Sequence, residues 1–88
     1  MLNSIEQRIV EKFGKEKQTI IAMEEMAELT KELSKNLRGA DNRMQILEEM
    51  ADVEICMSEI RLMHGIQLNE LAATMDEKLK RTEERLLG

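Results

Sequence analysis

Apolar residues recur along this chain at intervals of three and four, as they do on helices that bury one stripe. Between Arg43 and His64 the stripe runs Ile46, Glu49, Met50, Val53, Cys56, Met57, Ile60, Met63 and His64. An upstream arc comprises Ala22, Met23, Met26, Leu29, Leu33 and Leu37, with Ala27 and Thr30 filling it. Gly14, Gly39 and Gly65 each follow such a pattern, where a left-handed cap residue is expected. They divide the chain into a short helix near residues 4–13 and three long ones near 18–37, 42–64 and 68–87. Asn42 and Gln45 have capping-box spacing, and Ile66 and Leu71 bracket Gln67 as a hydrophobic staple would. Short links favour antiparallel neighbours. The predicted fold is all-α: an antiparallel helical bundle, one short and three long helices, in a single domain over residues 1–88.

Composition supports that reading. Proline is absent, and the only aromatic residue is Phe13, so Leu, Ile and eight methionines must fill the core. A net charge of −5 argues against nucleic acid as the partner, because that contact needs a clustered positive surface. No apolar run is long enough for a membrane span, and MLNSIEQR lacks the apolar stretch of a secretory signal. The single cysteine, Cys56, has no internal disulfide partner and reads as a small buried hydrophobe. Together these features predict a reduced, cytoplasmic protein.

Two acidic words change the picture. MEEMAEL (Met23 to Leu29) and LEEMADV (Leu47 to Val53) repeat the same order of residues. Glu49 occupies a mid-helix core position, where a lone ionised carboxylate is strongly disfavoured unless paired, hydrogen-bonded or metal-bound. Residues three apart are neighbours on a helix, so Glu25 with Glu28, and Glu49 with Asp52, form two carboxylate pairs. On antiparallel helices the pairs can face one another. An all-oxygen set of this kind suits Mg²⁺ or Mn²⁺. Glu24, Glu32, Glu48 and Glu54 read as solvated, and His64 as an ordinary imidazole at a helix C-terminus.

Glu25-x-x-Glu28, twenty intervening residues, then Glu49-x-x-Asp52 resembles the ExxE…ExxD signature of the MazG-like all-α nucleoside triphosphate pyrophosphohydrolases. The similarity extends through EEMAEL, EEMADV, the glycine turn before IQLNEL and the closing EKLKR, from about Gln18 to Arg81. The resemblance implies hydrolysis of nucleoside triphosphates to monophosphate and pyrophosphate in nucleotide-pool housekeeping. It implies Mg²⁺ (or Mn²⁺) on Glu25, Glu28, Glu49 and Asp52, with either Glu25 or Glu28 orienting or deprotonating the attacking water. Lys78 and Arg81 match the family's C-terminal basic residues and would contact phosphate; Arg85 extends their stripe. Gln18 reads as an early residue of the acidic helix that could also reach the nucleotide. Asp76 stands where the family often has asparagine, and Phe13 is the only aromatic available to a base.

The resemblance also implies a homodimer or homotetramer. The sequence agrees, because Leu47, Ala51, Ile55 and Leu62 lie away from the Glu49 face and call for a second neighbour. The alternative is a non-catalytic helical oligomerisation or interaction module. Glu49 discriminates, since such a module has no use for a carboxylate at a core position.

Overall fold

Ser4 opens the first helix by accepting a hydrogen bond from the Gln7 backbone N–H at 3.1 Å. The structure, a computed structural model, describes residues 4–88. Its helices are α1 (Ile5–Phe13), α2 (Lys15–Leu37), α3 (Arg43–His64) and α4 (Leu68–Leu87), with no strand among the described residues. None is long and apolar enough to cross a membrane.

α2 begins three residues before the predicted position. Gly14 ends α1 and begins α2 at once, with φ 91°, so a single residue makes the corner. At Gly65 (φ 64°) the Ile66 N–H reaches back to the Arg61 carbonyl at 2.9 Å, a Schellman closure of α3. Asn42 departs from expectation. It precedes α3 but makes no side-chain cap; its amide instead donates to the Glu32 carbonyl at 2.9 Å and the Glu32 carboxylate at 3.0 Å. The Gln67–Glu70 pair caps α4 reciprocally.

α2 and α3 pack on each other and α1 packs on both. Three contacts give the direction: Gln18 meets Glu59, Thr19 meets Met63, and Glu32 meets Asn42. Partners descend α3 as they ascend α2, so the pair is antiparallel. The buried set is small: Ala22, Cys56 and Met63, with the polar Gln18, Glu32, Asn42 and Glu59. Cys56 is buried as predicted. Much of the predicted α2 arc is not: Met23, Met26, Leu33 and Leu37 are exposed, and they form a second stripe beside the packed one.

α4 packs against none of the other three helices. The radius of gyration is accordingly 16.2 Å, against about 12 Å for a compact chain of this length. Only three of the four helices therefore form a packed body within one chain.

Candidate metal centre

Glu25, Glu49 and Asp52 each offer one carboxylate oxygen, and these atoms all lie within 4.8 Å of one another. Helix geometry explains the meeting. Gln18 faces Glu59, and stepping seven residues up α2 and down α3 sets Glu25 opposite Asp52. Glu49 follows one turn further along the same face of α3. Glu28 stands apart from these three: it is exposed and outside the cluster, although its charge acts on both Glu25 and Glu49.

The electrostatics are those of acids crowded without a counter-ion. Burial raises the Glu49 pKa above its ordinary 4.5, and the charges of Asp52, Glu28, Glu32 and Glu48 raise it further. Glu25 is raised likewise, first by burial, then by Asp52 and Glu49. The one ion pair among the described residues joins Lys35 to Glu32 at 3.3 Å, away from the cluster. Glu49 Oε2 is buried and has no hydrogen-bond partner. A buried oxygen in that state calls for a proton or a cation. Three converging carboxylates, with no thiolate or imidazole among them, form a donor set for a hard dication. Cys56 is held as a neutral thiol, its pKa raised by burial and then by Glu59, Glu25 and Asp52.

Lys78 and Arg81 are not brought to the carboxylates within one chain, because they ride on the unpacked α4. With Thr82 and Arg85 they line a shallow surface cavity of about 280 Å³. Phe13 lies exposed beside Ile20 and Ile21, with the Lys17 ammonium 4.7 Å from its ring centroid.

Sequence reasoning missed two polar contacts. Gln18, read as an early helix residue, is buried and donates to Glu59 Oε1 at 2.6 Å. Glu32, read as solvated, is buried, accepts from Asn42 and pairs with Lys35; its pKa is lowered, chiefly by the Asn42 hydrogen bond. A signal existed: Gln18, Glu25 and Glu32 recur every seven residues, which puts three polar groups on one face of α2.

No family model, curated protein or solved structure matches this chain.

Proposed function

We propose that this chain is a MazG-like nucleoside triphosphate pyrophosphohydrolase dependent on Mg²⁺ (Mn²⁺ as an alternative). It would work as a homo-oligomer on the cytoplasmic nucleotide pool, converting (d)NTP and water to (d)NMP and pyrophosphate. One observation carries the reading: Glu49 presents a buried, unpartnered oxygen into a cluster shared with Glu25 and Asp52. A proton or a hard dication would satisfy that oxygen, and the convergence of three carboxylates supports the dication.

Glu25, Glu49 and Asp52 would hold the cation, with Glu28, which lies outside the cluster, as the fourth ligand that the resemblance implies. When bound, the cation supplies charge neutralisation for the phosphate chain. The chain's own residues do the rest. Glu25 or Glu28 orients a water and accepts its proton as the phosphoanhydride bond breaks. Lys78 and Arg81 supply positive charge for the phosphate oxygens, which acidic ligands alone would repel.

The exposed apolar seam of α4 favours a second reading, a non-catalytic helical oligomerisation module. That reading leaves the Glu49 position without a purpose. Pyrophosphate release from a panel of canonical and modified nucleoside triphosphates with Mg²⁺ decides between them. Release from at least one that disappears in Glu49→Gln is expected; no release from any would transfer the case to the module.

A further inference from the structure

Two long helices carry apolar stripes that nothing in the chain covers. On α4 the positions Leu68, Ala72, Met75, Leu79, Thr82 and Leu86 follow one another at intervals of four, three, four, three and four. That is a helix–helix seam, and Leu68, Met75, Leu79 and Leu86 on it are all exposed. On α2 the exposed run Met23, Met26, Thr30, Leu33, Leu37 has the same alternation. In proteins most helical stability comes from packing an amphipathic face rather than from propensity, so α4 calls for a packing partner.

Surface area indicates the scale of that partner. The chain exposes 7309 Å², whereas a compact monomer of this mass exposes about 5300 Å². The excess of roughly 2000 Å² is more than the ~800 Å² each partner gives to a standard interface, and it falls in the obligate range. Charge indicates the partner's identity. At 100° per residue, Lys78 and Arg85 lie along one edge of the α4 seam, with Arg81 behind them further round the helix; Asp76 and Glu83, then Lys80, lie along the other. The shared surface cavity of Lys78, Arg81, Thr82 and Arg85 places the basic edge directly beside a seam residue. On the body of the chain, the exposed methionines Met26 and Met50 directly follow Glu25 and Glu49. Apolar ground beside an uncompensated acidic cluster is the complement of an apolar seam with bases along one edge. One chain presents both halves and joins neither.

We infer that α4 of a second copy of this chain lies across the α2–α3 pair, so that each carboxylate cluster receives Lys78 and Arg81 from its partner subunit. The site is incomplete in a single chain and is built twice in a symmetric pair. The catalytic meaning of this exchange rests on the hydrolase reading; the docking of α4 does not.

The test uses two readouts on the full chain. Equal parts of ¹⁴N- and ¹⁵N-labelled protein are co-refolded and treated with a carbodiimide, which joins a lysine amine to a nearby carboxylate. Isotopically mixed peptides joining Lys78 to the Glu25 or the Glu49–Asp52 segment are expected. Only single-isotope joints, or a monomer at micromolar concentration with no such joint, would overturn the inference. In the second readout, Glu49→Gln and Lys78→Ala chains, each deficient in hydrolysis, are co-refolded one to one. A symmetric pair assembled at random then has about a quarter of its sites intact in trans, so about a quarter of wild-type activity should return. No recovery above the separate variants would place Lys78 in cis. If the wild-type chain hydrolyses nothing, the hydrolase reading fails and the isotope-mixed joints still decide the place of α4.

Discussion

Gln18 Nε2 donates to Glu59 Oε1 at 2.6 Å, and both side chains are buried between α2 and α3. This pair fixes the register that brings Glu25 opposite Asp52. Glu59→Leu would leave the Gln18 amide buried without a partner, at a cost of about 1–3 kcal/mol. The double change Gln18→Leu with Glu59→Leu should recover much of that loss, since neither group is then orphaned. Urea unfolding of the two single variants and the double variant measures the coupling. Losses that simply add would show that the contact is not a unit.

The α-helical class was legible because propensity, glycine punctuation and a 3.6-residue period all agreed, and α1, α3 and α4 fall within a residue or so of their predicted positions. The Glu25, Glu49 and Asp52 cluster was legible from an acidic word repeated at core spacing. Two things were not. A helix with two apolar stripes shows its full apolar arc in the sequence, and nothing there says which stripe its own chain covers. For that reason Met23, Met26, Leu33 and Leu37 were expected inside and are exposed. The burial of Glu32 depends on Asn42 turning from its cap role towards α2. That choice belongs to tertiary geometry and leaves no local mark.

The pH dependence of the metal-free protein should have two limbs. Glu25 and Glu49 bind their protons more tightly when folded than at their ordinary 4.5. Their stabilising contribution is present below 4.5 and is lost as pH rises through the folded values. Glu32 runs the other way: its lowered pKa contributes stability above 4.5, lost as pH falls through the folded value. Melts in a chelator between about pH 3 and 8 should therefore peak near the ordinary 4.5, where the Glu32 contribution is complete and the losses at Glu25 and Glu49 begin. Glu49→Gln should flatten the alkaline limb and Glu32→Gln the acid one. An alkaline limb unaltered by Glu49→Gln would show that the repulsion lies elsewhere.

Cation binding should reverse the alkaline limb. A ligand at ten times its Kd stabilises the folded state by about 1.4 kcal/mol, which for a chain this small raises Tm by roughly 6–11 °C. Mg²⁺ or Mn²⁺ should produce such a shift at neutral pH and a much smaller one in acid, where the carboxylates are protonated. Glu49→Gln should reduce it sharply, while Glu54→Gln, on an exposed part of α3, should not. Equal shifts in wild type and Glu49→Gln would remove Glu49 from the site.

Stability and activity should move in opposite directions at Asp52. Its charge is among the leading influences raising both Glu25 and Glu49, so Asp52→Asn relieves repulsion while keeping the side chain's shape. Asp52 is also exposed, so the new amide is free to reach water or donate to Glu25. The metal-free variant should therefore melt above wild type at neutral pH. The same change removes a ligand charge, so pyrophosphate release should fall to background and the cation-induced shift should shrink. Lys78→Ala offers the contrast. Lys78 sits on α4, which packs on no other helix of its own chain. The inferred seat of α4 brings it to the partner's carboxylates, so Lys78→Ala should lower the metal-free Tm, the opposite sign from Asp52→Asn. Losing a hydrogen bond to a charged phosphate oxygen costs about 1.5–3 kcal/mol, a fall of roughly 10- to 150-fold in kcat/KM. Paired melting and kinetic measurements on the two variants check both signs. Asp52→Asn that melts lower and still turns over would break the link between the acidic cluster and the chemistry.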